Sequence, residues 1–205
     1  SNFQSIWTDE KMPEQKTISI EKAIDIGVKH HQDGDLSKAE AIYQQILQAA
    51  PQNSSVLHLL GVVAHQQDKN EIAVDLIEKA LAVDPNYAEA HNNLGIVLQK
   101  QGKFEGAVAS YKKAVSINAD YIEAHNNLGN TFRALGDSNN AIASYQKALA
   151  IDPNYAEAHY NLGNLFNDEQ RLDDAVASYH KALAAKPDHA KAYNNLGNVL
   201  TLQGK

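Results

Sequence analysis

Glycine returns every 34 residues along this chain, at Gly27, Gly61, Gly95, Gly129, Gly163 and Gly197. With 11 glycines in 205 residues, five successive coincidences have a chance probability of roughly one in a million, so the spacing is a period. Other residues keep the same clock. Ala39, Ala73, Ala107, Ala141 and Ala175 form a second series, and Tyr43, Tyr111, Tyr145 and Tyr179 a third, with Ile77 in the remaining slot. Four of the five prolines, Pro51, Pro85, Pro153 and Pro187, close the repeats, and Ala119 stands where another would fall. The length alone allows one or two globular domains or an open array of small units, and the period selects the array. The units run 19–52, 53–86, 87–120, 121–154 and 155–188. An arm, 1–18, precedes them, and a partial sixth unit, 189–205, with a first helix only, follows.

Each unit reads as a helix, a tight turn and a second helix. In the unit that starts at Tyr87, His91, Leu94, Gly95 and Leu98 share one arc of a 3.6-residue wheel, as do Ala107, Tyr111 and Ala114 in its second half. Gly102 marks the stop of the first helix, and its counterparts Gly34, Gly136 and Gly204 suit the left-handed C-terminal position, where Asp68 and Gln170 depart from glycine. The segments Asn86-x-x-Glu89, Asp120-x-x-Glu123 and Asn154-x-x-Glu157 are expected to form capping boxes. A glycine inside a helix costs about 1 kcal/mol relative to alanine, so its repeated use predicts a close approach. Gly95 and Ala107 are expected where the paired helices cross, with Leu94, Leu98 and Tyr111 filling the space around them.

The pattern His91-x-x-Leu94-Gly95-x-x-Leu98, then Ala107-x-x-x-Tyr111, then a closing proline resembles the tetratricopeptide repeat (TPR), over residues 19–205. The resemblance implies an all-α fold, a right-handed superhelical α-solenoid of TPR helix-turn-helix units. The large aromatic residue that usually opens the motif is here His91, His125, His159, Leu57 or Tyr193. The wording Tyr-Ala-Glu-Ala-His-x-Asn-Leu-Gly is similar to the repeats ahead of the catalytic region in O-linked N-acetylglucosamine transferases, and to those of many bacterial multidomain proteins.

Composition narrows the chemistry. The net charge is −7 with no basic segment, which excludes an electrostatic footprint for nucleic acid. The absence of cysteine excludes disulfides, thiolate metal sites and thiol nucleophiles. The most apolar stretch, Val56 to Ala64, is too short for a membrane span, and the N-terminus lacks an apolar signal core, so a cytoplasmic protein is expected. No Gly-rich phosphate loop, His-Glu-x-x-His or nucleophile elbow is present, and neither a catalytic residue nor a cofactor is expected. His91, His125 and His159 fall on stacked helices about 8 to 10 Å apart, too far to share a metal ion. They are expected to be partly buried and hydrogen-bonded.

The face opposite the packing arc carries the binding expectation. It runs Glu89, Asn93, Ile96, Lys100 in one unit, Glu123, Asn127, Asn130, Ala134 in the next, then Glu157, Asn161, Asn164, Asp168, and finally Lys191, Asn195, Asn198, Leu202. Asparagine is a poor helix former, so its recurrence at interior positions needs another cause. The resemblance implies that these helices line a concave groove, where the ladder Asn93, Asn127, Asn161 and Asn195, with Asn130, Asn164 and Asn198, binds the main chain of a protein or peptide ligand. The alternative is that the amides bond to one another and brace the stack. The glutamates of the stripe read as capping residues. Arg133 is the lone arginine near this face, so a basic clamp for a peptide C-terminus is not reproduced.

In the first units the stripe turns apolar, with Val28, Leu59, Val62 and Ile96 as a groove contact. Met12, the single methionine, reads as the natural start and 1–11 as vector-encoded, and Ile6 and Trp7 of the arm are expected to dock on an apolar groove surface. At the other end the chain stops before a helix that would cover Leu196 and Leu200. That predicts an uncapped apolar face, belonging either to a fragment of a longer protein or to self-association through that end or the arm. Three functions fit: a scaffold for protein or peptide segments, the substrate-presenting region of a larger enzyme such as a glycosyltransferase, and a homo-oligomeric assembly scaffold.

Overall fold

The computed structural model describes residues 18–204; the arm residues Phe3, Ile6, Trp7 and Met12, and the docking expected of them, lie outside the described residues. The described chain is all-α. Its eleven helices are α1 (Ile20–Gln32), α2 (Leu36–Ala49), α3 (Ser54–Gln66), α4 (Asn70–Val83), α5 (Ala88–Lys100), α6 (Phe104–Ile117), α7 (Ile122–Ala134), α8 (Ser138–Ile151), α9 (Ala156–Asp168), α10 (Leu172–Ala185) and α11 (Ala190–Leu202). Odd-numbered helices all begin 34 residues apart, and so do even-numbered ones, which turns the glycine period into geometry. The chain forms two compact units, one ending at Val97 and the other beginning at Leu98, with the division inside α5.

The turn between the two helices of a hairpin is set by one left-handed residue. Gly34, Gly102, Gly136 and Gly204 have φ between 72° and 80°, where glycine carries no Cβ penalty. Asp68 and Gln170 adopt the same conformation, both with φ 60°, so the turn geometry persists where glycine is lost. For a residue with a Cβ that conformation costs about 1 to 2 kcal/mol.

The capping boxes do not form. The cap positions of α7 and α9 are Tyr121 and Tyr155, neither with a side-chain cap bond. The chain is turned two residues earlier instead. Asp84 Oδ1 accepts the backbone N–H of Asn86 (3.0 Å), Asn118 Oδ1 that of Asp120 (3.1 Å) and Asp152 Oδ1 that of Asn154 (2.9 Å). These are Asx turns, and they leave Asn86, Asp120 and Asn154 outside the helix they were expected to cap. Glu89 and Glu123 are exposed, and Glu157 faces Lys186 at 3.9 Å.

The close approach expected at the periodic glycines is present at Gly27, Gly61, Gly129 and Gly163, and at Gly197 nothing lies within 4 Å. A methyl group on Gly27 would stand 2.5 Å from Tyr43 Cε1, on Gly61 2.7 Å from Ile77 Cγ1, on Gly129 2.6 Å from Tyr145 Cε1 and on Gly163 2.5 Å from Tyr179 Cε1. Those four large side chains are fully buried, as are Ala39, Ala73, Ala141 and Ala175. The tyrosine ring or, at Gly61, the Ile77 side chain that fills each of these four hairpins therefore occupies the volume that the glycine vacates.

In the first unit α1 packs on α2, α2 on α3 and α3 on α4. Ile42, Tyr43, Ile46, Val56, Leu60 and Val63 form its core, and Leu59 packs against it. In the second unit each of α6 to α10 packs on its successor, and α9 also touches α7 and α11. Leu196 and Leu200, expected to be uncovered, lie against α10: Leu196 is buried with Tyr179 and Leu183, and Leu200 packs on that cluster. The apolar side chains that α11 exposes are Tyr193 (56%) and Leu202 (65%). No helix among the described residues is long and apolar enough to cross a membrane.

Candidate functional site

The asparagine positions are half-buried along α5, α7, α9 and α11, except Asn198, which is exposed. Asn93, Asn161 and Asn195 share one kind of bond. In the second unit Asn161 Nδ2 donates to Asn126 Oδ1 (2.9 Å), and Asn195 Nδ2 donates to Tyr160 Oη (3.3 Å). In the first unit Asn93 Nδ2 donates to His58 Nε2 (2.7 Å). Every one of these pairs is 35 residues apart, one repeat plus one, and so are His31–Gln66 (2.9 Å) and Arg133–Asp168 (2.7 Å). Within each unit donors and acceptors on successive first helices thus meet, and the bracing that stood as the alternative reading of these amides is made by their NH2 groups.

An amide bonded through its nitrogen turns its oxygen away. Among the described residues Asn161 Oδ1 has no hydrogen-bond partner and is not sealed from solvent, and the same holds for Asn195 Oδ1. Asn130 and Asn164 are oriented the opposite way, because their oxygens accept the hydroxyls of the buried Tyr145 and Tyr179, both at 2.8 Å. Asn164 Oδ1 also accepts from Asn195 Nδ2 (2.8 Å). Their NH2 groups therefore remain as donors. Asn127 is half-buried, and its backbone carbonyl accepts the Thr131 hydroxyl (2.9 Å).

Asn126, Asn130, Tyr160 and Asn161 line one open recess of about 470 Å³ in the second unit, with Lys186 and His189 on its rim. The rings of Tyr160 and His189 lie 4.8 Å apart beside it. Arg133 is held by Asp168 (Nη2 to Oδ2, 2.6 Å), which neutralises the one arginine of this face. In the first unit Val28, Leu59, Val62 and Ile96 are all half-buried.

The tyrosine hydroxyls show how the polar and apolar parts differ. Tyr111 donates to Gln99 (3.1 Å), while Tyr43 has a buried hydroxyl with no partner. Val28 stands 15 residues before Tyr43, the slot that Asn130 and Asn164 fill before Tyr145 and Tyr179. Burial pushes the Tyr43 phenol up to about 12.

The recurring histidines are hydrogen-bonded. His91, His125 and His159 engage through Nε2 the carbonyls of Pro85, Ala119 and Pro153, at 3.0, 2.9 and 3.0 Å. Each accordingly carries its proton on Nε2 and pins the turn that precedes its own helix. Among the described residues no three His, Asp or Glu side chains are placed to hold a metal ion. The residues absent from the sequence expectation are His58, Asn126 and Tyr160, which receive the amides. Their signal was the first residue of doublets such as Asn126-Asn127 and Tyr160-Asn161, set against the second residue of the doublet one repeat on.

Four segments, residues 65–102, 98–136, 129–168 and 163–204, match the family described as TPR repeat, together about two thirds of the chain. No curated protein matches the sequence significantly. Among solved structures, MamA is 28% identical with a TM-score of 0.72, over 82% of this chain and 98% of that one. YrrB, described as a TPR protein with an unusual peptide-binding site, is 24% identical with a TM-score of 0.69, over 86% and 91%. PilF of Pseudomonas aeruginosa is 21% identical with a TM-score of 0.80, over 90% and 84%. The last two likenesses are of fold alone.

Proposed function

Because the chain belongs to the tetratricopeptide repeat family, we propose that it is a protein-interaction scaffold whose first helices hold an extended peptide segment by its main chain. One observation carries this reading: the unused NH2 of Asn130 and the unused carbonyl of Asn161 line the same recess. A donor and an acceptor side by side complement the C=O and N–H of a peptide backbone. Both groups are held by bonds behind them, so little ordering is required on binding. Asn195 and Asn164 repeat the pair one hairpin on, which supports a ladder in the second unit that includes Asn127, and Asn93 holds the same repeat position within the first unit. The half-buried Val28, Leu59, Val62 and Ile96 support an apolar contact for the ligand in that first unit. MamA and YrrB share the fold, and the peptide-binding site named for YrrB is consistent with the same use here.

The test is an array of 12-residue peptides probed with the wild-type chain, Asn130→Asp and Asn161→Ala. Aspartate keeps an oxygen for Tyr145 but replaces the outward donor with an acceptor, so Asn130→Asp is expected to lose array signal while folding is retained. Loss of one bond corresponds to about 0.5 to 1.5 kcal/mol. Equal signal from Asn130→Asp and wild type across the array would mean that these amides only brace the helices.

A further inference from the structure

The acceptors that orient the amide ladder are of different kinds. Asn161 is turned by a carboxamide oxygen, Asn126 Oδ1, which has only one way to receive it. Asn93 is turned by an imidazole nitrogen, which accepts in one tautomer and donates in the other. His58 occupies the repeat position held elsewhere by Asn92, Asn126 and Asn194, and it is only 4% exposed.

The surroundings select the tautomer. An amide NH2 can only donate, so the 2.7 Å bond from Asn93 Nδ2 requires that His58 Nε2 be bare. The ring proton then sits on Nδ1, which lies 3.0 Å from the Tyr87 hydroxyl, an oxygen able to accept it. Tyr87 stands directly before α5, with its ring edge-on to the imidazole at 4.8 Å. Burial holds His58 well below the usual histidine range, at about 4, which keeps the ring neutral. Every nitrogen of the ring is thereby used, and the chain Asn93, His58, Tyr87 has a single direction of donation.

We infer that His58, held as its Nδ1–H tautomer by Tyr87, is a positioning residue that fixes the Asn93 amide with its nitrogen inward, so that this position offers a ligand an acceptor for N–H and not a donor. The inference rests on the groove reading above. The Asn93 oxygen takes one long contact from Asn92 Nδ2 (3.5 Å), and a carbonyl has a second lone pair for a ligand. With the opposite tautomer, Nε2–H would face the Asn93 NH2, donor against donor, and the amide would have to rotate and present its NH2.

Long-range ¹H–¹⁵N spectra of the 205-residue chain near pH 7 read the tautomer directly, with His58 assigned by its loss in His58→Asn. The expected result is that the bare, strongly deshielded nitrogen is Nε2, the one coupled strongly to both ring C–H protons. A bare Nδ1 would overturn the inference. Rescue gives the second readout. His58→Asn copies the Asn126–Asn161 arrangement, so the Asn93 side-chain NH2 should exchange with water within about twofold of wild type. His58→Leu removes the acceptor and should speed that exchange by up to about tenfold, the equivalent of one bond. Equal protection in His58→Leu and wild type would also overturn it. On the 12-residue peptide array, His58→Asn should keep the wild-type signal and His58→Leu should lose what Asn93→Ala loses. The two spectroscopic readouts need no ligand, so an array silent for every variant would count against the groove reading and leave the tautomer to stand or fall alone.

Discussion

Replacing Gly163 and Gly197 by alanine should move stability in opposite directions, although the two positions are equivalent within the repeat. At Gly163 the new methyl would stand 2.5 Å from Cε1, 2.6 Å from Cδ1 and 3.0 Å from Cζ of Tyr179. Carbon atoms settle at about 3.5 to 4.0 Å, so the overlap is roughly 1 Å against one face of a ring. That ring is fully buried, and its hydroxyl is tethered to Asn164 at 2.8 Å, which leaves it little room to retreat. Overpacking of this kind costs about 1 to 3 kcal/mol. The better helix propensity of alanine returns about 1 kcal/mol, for a net destabilisation of up to about 2 kcal/mol. At Gly197 nothing lies within 4 Å of the added methyl, and only the propensity gain of about 1 kcal/mol remains. In a chain of this length 1 kcal/mol moves Tm by about 2 to 4 °C. Repeat arrays need not unfold in one step, so amide exchange of α9 and α10 for the first variant, and of α11 for the second, should accompany the melts. Stabilisation by Gly163→Ala, or changes of the same sign at both sites, would refute the account of why glycine recurs.

Val28→Asn should stabilise the first unit by about 1 kcal/mol in urea denaturation, because it offers the stranded Tyr43 hydroxyl the acceptor that Asn130 gives Tyr145. By the same logic Tyr43→Phe should be close to neutral, whereas Tyr145→Phe should destabilise. Gln170→Gly should raise stability by about 1 kcal/mol by relieving a left-handed residue at φ 60°, with α9 and α10 protected more strongly against exchange. The folded chain binds a proton at His58 less tightly than the unfolded chain, about 4 against 6.5, so between those values acid loads the unfolded state first and stability falls as pH falls. The loss should reach roughly 2 kcal/mol by pH 5 and 3 kcal/mol by pH 4. It should be seen as the difference between wild type and His58→Asn, in which the carboxylates titrate alike. An identical pH profile in the two proteins would contradict a buried neutral imidazole.

The helices, their turns and the glycine contacts were legible because each is decided within one hairpin, by residues close in sequence. Gly61 and Ile77, or Gly163 and Tyr179, sit 16 residues apart and recur with the period. The left-handed turn was legible at Gly102 and Gly136 and persisted at Gln170 because the fold around it requires the conformation whichever residue is present. The capping boxes were misread because Asp84, Asn118 and Asp152 reach the turn N–H groups first, a competition that the spacing Asn-x-x-Glu does not display. The amide partners were beyond a wheel drawn for one helix. Asn161 and Asn126 meet only when two hairpins are stacked, and the extra residue in their separation is a property of that stacking. Leu196 was misjudged for a related reason: the preceding helix, α10, already covers it.

The offset of one repeat plus one residue also bears on how such an array can grow. Within each unit one hairpin supplies the acceptor and the next the asparagine, as His58 and Asn93, Asn126 and Asn161, and Tyr160 and Asn195 do. Copying a 34-residue window that carries Asn126-Asn127 or Tyr160-Asn161 gives the copy both halves, whereas a copy of the hairpin with His58-Leu59 would bring an acceptor and no asparagine, so duplication keeps the polar joint only where such a doublet is copied.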